Sequence, residues 1–427
     1  MGHADLISKE KDMNLRIETN HSSLRILLFA ANFGRVGDAM RAVATGKALA
    51  LRGHHVTVMY SKPNRTWGYR VYEEDGVQIV ESPRLVNPNR FNGFQNPFVI
   101  FANLFWLVTH SYDVYHAFVP VDNVGIPWLI WKMIDRKAIF LFDQSDLIVD
   151  GGFLGSNNDK RGLARLSYKL AAWTEKAVKL QADSFFVLST RLEQRAHEQG
   201  VLPERIQLIR TGVLFNQVYT TLDKQEARRK IGLSDQILLL GFASIHLAGL
   251  DELLSGVTHL QKSGLDFKIL FTGNVSDDIK LIIRNKSLEQ YFIFTGWLDD
   301  KVFGNYLSSC DIFLTLMDDT PCSIYCFPSK LVNYMAVGRP MVVTDIGDAG
   351  DFIRQYGCGL VYPVGGENLA RAIVYITLNP DEALLMGQRG RDAVMCDLSW
   401  EKLSKKIEGT YLNILENKNL LDHTGRK

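Results

Sequence analysis

The sequence predicts two doubly wound α/β domains in tandem, and three observations carry that prediction. Short apolar runs alternate with helical patterns along most of the chain. The alternation occurs twice, with a polar stretch at residues 216–230 between the two series. At 427 residues the chain also exceeds one typical domain. In such folds ligands bind at the carboxyl ends of the strands, and pockets favour domain interfaces. The two domains are therefore expected to face each other across a ligand-binding cleft.

The first series opens with the apolar run 24–30 (LRILLFA), which leads into a loop carrying Gly34 and Gly37. A helical pattern at 40–51 closes at Arg52-Gly53, and residues 56–60 form the next strand, completing a βαβ unit. Two glycines at this spacing fit a phosphate-facing loop, and they fit a tight turn equally well. Strands follow at 112–118, 138–142, 184–188 and 206–209, with helices at 162–180 and 191–199. The polar stretch reads as a linker. Strands at 237–242, 267–272, 292–295, 312–316, 341–344 and 360–362 make the second series. An amphipathic helix at 400–417 lies beyond the last strand. The expected division is a polar extension 1–23, domains at 24–212 and 213–399, and a C-terminal helix and tail 400–427 packing back towards the first domain.

The segment 327–344 (FPSKLVNYMAVGRPMVVT) is the most informative. Pro328 suits a helix start, because its missing N–H would have no partner there. Leu331, Tyr334 and Met335 recur at helical spacing, Gly338 stops the helix, and Met341 to Val343 reads as a parallel strand. A helix N-terminus presents free N–H groups and a partial positive charge, so a diphosphate fits beside Ser329 and Lys330. The same pattern reads as a plain α/β helix with one exposed lysine. Asn333 lies one turn beyond Lys330 on the same face, placed to bond ribose hydroxyls or to serve as a structural amide.

Charge and cysteine content exclude several classes. The 48 basic and 47 acidic residues leave a net charge of +1 with no basic block, against the clustered Lys and Arg of nucleic-acid binding. Five cysteines lie in the C-terminal half; Cys322 and Cys326 have no partnering Cys or His pair, so no zinc site is expected and reduced thiols fit. Residues 1–23 lack the apolar core of a signal peptide, and position six is not the Ser or Thr of a myristoylation site, so a cytoplasmic location is expected. The apolar segments 97–108 and 124–134 are too short to span a bilayer and read as buried helices. Phe105, Trp106, Trp128 and Trp131 leave a peripheral membrane contact open.

With these motifs in place, the chain resembles the GT-B fold glycosyltransferases, specifically the retaining family 4 type, from Leu24 to about Asn417. Residues 41–58 (RAVATGKALALRGHHVTV) resemble the family's first helix, turn and second strand, and 112–116 (YDVYH) a later strand. Glu175 and residues 203–213 resemble the approach to the interdomain linker. Residues 294–297 and 308–316 resemble elements preceding the donor site, and segment 327–344 the family's donor-site helix. The chain also departs from the family pattern. Tyr325 and Asn333 stand where the family usually has a glutamate pair, and Ala243 and Ala248 where it has an Arg and a Lys. A branch with an Asp-rich motif followed by Gly-Gly resembles Asp143 to Asp146 and Gly151-Gly152 here.

The resemblance implies transfer of a sugar, with retention, from a UDP- or GDP-sugar to a polysaccharide, glycolipid or metabolite. It implies no cofactor and no metal. Asp318-Asp319 is not flanked like a metal-binding Asp-x-Asp. The expected catalytic residues are Lys330, against the departing diphosphate, and Asp143 and Asp146 at a strand end, holding sugar hydroxyls or, for Asp146, capping the next segment. Gly34, Gly37, His246, Gly273, Gly296, Trp297, Ser329, Lys330 and Asn333 are expected to bind the nucleotide sugar. Among these, His246 reads equally as a surface loop residue, whereas Gly273 permits close backbone approach to the base. Two other readings stand beside this one. The first is a non-catalytic subunit that binds a sugar or a partner glycosyltransferase. The second is a nucleotide-sugar epimerase, for which only Asp143, Asp146 and His116 offer acid–base groups.

Overall fold

The computed structural model describes residues 23–33, 37–62, 64, 66–84, 95–158, 160–213, 222–243 and 249–424. Gly34 and His246, both expected site residues, and Ala248 lie outside them. The chain forms two compact units. One runs to Val187 and adds Leu192–Ile209 and the chain from Ser404; the other holds Leu188–Arg191 and Arg210–Leu403. Both are Rossmann-like, with helices packed on a mostly parallel sheet.

The first unit contains β1 (Arg25–Phe33), α1 (Asp38–Ala50), β2 (His55–Ser61), β3 (Arg70–Glu74), β4 (Val77–Ser82) and α2 (Pro97–Thr109). It continues through β5 (Val114–Phe118), α3 (Asp122–Ile134), β6 (Ile139–Gln144), α4 (Gly162–Gln181), β7 (Ser184–Val187), α5 (Thr190–Glu198) and β8 (Ile206–Leu208). The sheet order is β3-β4-β2-β1-β5-β6-β7-β8. The antiparallel pair β3–β4 is absent from the sequence reading. Its edge strand is short and largely polar, so hydrophobic periodicity is weak there. The available signal was Asp75-Gly76, whose φ angles of 50° and 76° suit a two-residue hairpin turn.

The second unit opens with α6 (Lys224–Lys230), inside the stretch read as a linker. That expectation is corrected. The Asp223 carboxylate accepts the Glu226 N–H at 2.8 Å, and Glu226 returns the bond, forming a capping box. Buried Arg228 then donates to the Ser309 and Asp235 carbonyls at 2.9 and 2.8 Å. The unit continues through β9 (Leu238–Phe242), α7 (Leu250–Leu260), β10 (Phe267–Thr272), α8 (Asp277–Asn285), β11 (Phe292–Gly296) and α9 (Asp300–Ser308). It ends with β12 (Ile312–Thr315), α10 (Pro321–Tyr325), α11 (Lys330–Val337), β13 (Met341–Thr344), α12 (Gly347–Tyr356), β14 (Gly359–Tyr362), α13 (Gly366–Leu378) and α14 (Pro380–Asp397). All six strands pair in parallel, in the order β11-β10-β9-β12-β13-β14.

The last helix, α15 (Trp400–Thr424), begins in the second unit and joins the first from Ser404. Glu408 there pairs with Arg52 and, at 2.9 Å, with His54. Buried Tyr411 meets the His116 ring nitrogen Nδ1 at 2.7 Å, and the Lys418 ammonium lies 3.0 Å from Asp183.

The segment read as two buried helices forms α2 and α3, but burial divides their faces. Trp106 and Trp128 are buried, so neither reaches a membrane surface, whereas Phe105 is exposed. No described helix is long and apolar enough to cross a membrane.

Candidate functional site

In the second unit the expected nucleotide-binding residues fall at consecutive strand ends. Gly296 ends β11 and Gly273 follows β10; the Gly273 N–H donates to the Gly296 carbonyl at 3.1 Å. Their φ angles are +66° and +97°, a region L side chains rarely adopt, and no atom within 4 Å would meet a Cβ at either position. The backbone is thus bare on that side. Exposed Trp297 follows, its N–H held 3.1 Å from Asn274 Oδ1. Next in the sheet is β9, where the Lys330 ammonium donates to the Ala243 carbonyl at 2.6 Å and lies 5.4 Å from the Phe242 ring centre. β9 and β11 are two strand spacings apart, about 10 Å.

Lys330 is half-buried in the first position of α11. Burial pushes its ammonium down to about 8 from the ordinary lysine value. Among the described residues no carboxylate lies within ion-pair distance of it. Ser329 precedes the helix, exposed and in helical conformation, and its side chain caps none of the first N–H groups. Those N–H groups and the Lys330 charge make an anion-favouring end. Asn333 is half-buried one turn on.

Glu252 adds a carboxylate that the sequence reading missed. It sits in the first turn of α7, half-buried, accepting the Gly365 N–H at 2.7 Å and the Thr344 hydroxyl at 3.3 Å. Burial raises its proton affinity, opposed by the Gly365 bond. The loop before it is fixed by Gly249, whose φ is +73° and whose Cβ would stand 2.3 Å from Leu316 Cβ. The Gly249 N–H donates to Asp318 Oδ1 at 2.8 Å. A glycine followed closely by an acid in an opening helical turn was the legible signal.

In the first unit, Asp143 differs from the expectation of a carboxylate open to a site. It is buried, and Arg41 donates to it at 3.1 Å through Nε and 2.8 Å through Nη2. Arg41 Nη2 also donates to the Ile209 carbonyl at 2.8 Å. Asp143 ends the apolar run of β6, and a paired buried ion is what that position accommodates. Burial raises its proton affinity while Arg41 opposes the rise. His116 is buried 4.0 Å from Asp143, and burial together with Arg41 pushes it down to about 3. At neutral pH that imidazole is uncharged and closed to solvent.

Asp146 is half-buried, accepting from the Ser145 hydroxyl at 2.7 Å. Near it stands Asp38, in the first turn of α1 after Gly37, whose φ is +52°. Asp38 accepts the Ala31 N–H at 2.6 Å and is buried. Burial lifts it to about 7, the Ala31 bond opposing and Asp146 adding to the rise. Asn123, opening α3, donates to the Ala31 carbonyl at 3.4 Å. Asp38 Oδ1, Asn123 Oδ1 and Gln144 Oε1 are buried without a hydrogen-bond partner among the described residues. Such orphaned acceptors are rare and point to a donor from outside. Val119, just past β5, is a β-branched residue at φ +63°, the kind of strain that collects at functional sites. An Asp directly after the glycine loop was readable for Asp38; nothing in the sequence marked Asn123 or Val119.

Tandem Rossmann-like units, each with polar groups gathered at strand carboxyl ends, define the GT-B class. The family comparisons agree: residues 37–214 match the model described as Glycosyltransferase Family 4, and residues 223–393 that of Glycosyl transferases group 1. Two glycosyltransferase models thus match the chain in tandem. Among solved structures it is similar to sucrose-phosphate synthase from Thermosynechococcus elongatus, at 17% identity and a TM-score of 0.70, covering 92% of this chain and 99% of that one. It is similar to WaaG, a glycosyltransferase of lipopolysaccharide biosynthesis, at 16% and 0.68, covering 89% and 98%. HepE of Anabaena, solved with UDP, matches at 14% and 0.65, covering 91% and 100%. At these identities the likeness establishes the fold. No curated protein matches the chain.

Proposed function

We propose that the protein transfers a sugar from a nucleotide-sugar donor, a UDP- or GDP-sugar, to a hydroxyl acceptor with retention and without a metal ion. One observation carries the reading: a half-buried Lys330 with no carboxylate partner among the described residues, at an uncapped helix start, beside two bare glycine backbones. The base rests against Gly273 and Gly296, near Trp297. The diphosphate sits at Ser329 and Lys330, and Asn333 and Glu252 are the candidates for the ribose hydroxyls. As the bond from the anomeric carbon to the phosphate oxygen breaks, negative charge grows on the diphosphate, and the Lys330 ammonium and helix N–H groups stabilise it. The acceptor oxygen bonds to the same face of that carbon, and its proton leaves to the departing phosphate oxygen. In the first unit, the orphaned oxygens of Asp38, Asn123 and Gln144, with Asp146, are the candidates to accept hydrogen bonds from hydroxyl groups of the acceptor, which we place among polysaccharides, glycolipids or hydroxylated metabolites.

Incubating the protein with UDP- and GDP-sugars and following nucleotide release tests this. Release that falls sharply in Lys330→Ala supports it; equal release in wild type and variant overturns it. A non-catalytic sugar-binding subunit is the second reading, favoured by the engagement of Asp143 with Arg41. It predicts nucleotide-sugar binding without release. The buried, uncharged His116 speaks against an epimerase, which needs an accessible acid–base pair.

A further inference from the structure

Two helices of the first unit leave apolar stripes uncovered. On α2, Phe98, Phe101, Phe105 and Val108 are between 47% and 72% exposed. On α4, Leu163, Leu166, Leu170 and Trp173 are between 42% and 85% exposed. Both sets follow the same i, i+3, i+7, i+10 spacing, so each lies within an arc of about 80° at 3.6 residues per turn. The helices belong to one layer. Each packs on α3, and Gln95, just before α2, donates to the Ser167 carbonyl of α4 at 2.8 Å and bonds Asp122 of α3. The chain crosses from β4 to β5, β5 to β6 and β6 to β7 in one direction along the sheet, and right-handed crossovers put all three helices on the same side.

Charge selects the occupant of this face. Exposed Arg165, Lys169 and Lys176 occupy a second arc of α4 of about 40°, beside the apolar one at the same pitch, and exposed Arg161 immediately precedes the helix. Most of the remaining arc is buried, and it includes the only α4 carboxylate, Glu175, paired with Lys179. α2 carries no charged residue, so neither helix shows an exposed carboxylate. A second copy meeting this face through two-fold symmetry would set the cations against themselves. An anionic, amphipathic surface satisfies both arcs at once: the apolar side chains enter the acyl boundary and the cations meet phosphates.

We propose that the α2–α4 face seats the protein on an anionic lipid surface, with Phe101, Phe105, Leu166 and Leu170 inserted and Arg165 and Lys169 on the headgroups. The test is co-sedimentation of the full chain with vesicles of phosphatidylcholine alone and of phosphatidylcholine mixed with phosphatidylglycerol. Wild type is expected to partition at least tenfold more strongly onto the mixed vesicles, less so as salt rises. Phe105→Ser with Leu170→Ser should abolish partition. Arg165→Glu with Lys169→Glu should remove the preference for the anionic vesicles. All four positions are exposed, and unchanged melting curves confirm folding. Wild type that stays in solution, or variants that sediment like wild type, overturn the proposal. So does a patch variant that turns a dimer into a monomer with vesicle binding intact, which would assign the face to a second copy. Vesicle partition needs no turnover, so its failure leaves the transferase reading standing.

Discussion

Two charged residues that look alike in the sequence divide into different roles once their surroundings are known. Asp143 and Arg41 form a buried pair, and removing one partner strands the other charge. Asp143→Ala should therefore lower unfolding free energy by about 3–5 kcal/mol, read by urea denaturation. Lys330 is the reverse, a half-buried cation bonded to a carbonyl. Lys330→Ala should leave the denaturation midpoint within about 1 kcal/mol and lower donor turnover by about 10²–10³-fold. Because burial holds the Lys330 ammonium near 8, nucleotide affinity should be level below pH 8 and weaken above it as the charge is lost. Titration of the nucleotide across pH 6.5–9.5 reads this, and Lys330→Arg should move the fall to higher pH. Asp38 gives a second pH signature. Its folded value, raised to about 7 from the ordinary 3.8, means the native state holds a proton that the unfolded chain releases. The stability this contributes is full below the unfolded value and is lost as pH rises through 7. Melting temperatures at pH 5 and pH 8 should differ more in wild type than in Asp38→Asn.

At the scale of elements, the glycines ending β10 and β11 set how closely a ligand can approach. Gly273→Ala and Gly296→Ala meet no atom, yet each is forced into a left-handed φ. A stability loss of about 1 kcal/mol per site is expected, with a clear fall in nucleotide affinity from the added methyl. Calorimetry on the same samples separates the two effects. Most strands were legible because parallel strands buried on both faces are continuous apolar runs, as in 267–272 and 341–344, where the bounds coincide with the structure. Edge elements were not, because β3 and α6 are short and largely polar and depend on turn and cap chemistry. The site followed the same division. Gly273 and Gly296 stand at the ends of legible strands, and Lys330 opens a legible helix. The burial of Asp143 and the orphaned oxygens near Asp38 depend on residues brought from distant positions, such as Arg41 and Asn123, which no local pattern reveals.

At the scale of the whole molecule, α15 is the element that ties the C-terminal end into the first unit. Its Tyr411 is fully buried against His116, and Glu408 pairs with Arg52 and bonds the His54 ring. Tyr411→Ala should cost about 3–5 kcal/mol through the cavity and the lost hydroxyl partner. Ending the chain at residue 403 should leave the first unit open to proteolysis while the second stays resistant, which limited proteolysis with mass spectrometry will show. The tandem order of the two domains was readable because hydrophobic periodicity restarts after the polar stretch. The return of α15 rests on its amphipathic pattern alone, which marks an apolar face without naming what covers it.

The central claim is that the strand ends of the second unit, with Lys330, form a nucleotide-diphosphate site. Isothermal titration of wild type and Lys330→Ala with UDP, GDP and their glucose conjugates tests it most directly. The account predicts saturable binding of one nucleotide series to wild type, weakened at least tenfold in the variant. Absence of binding to wild type, or equal affinity in both proteins, would contradict it.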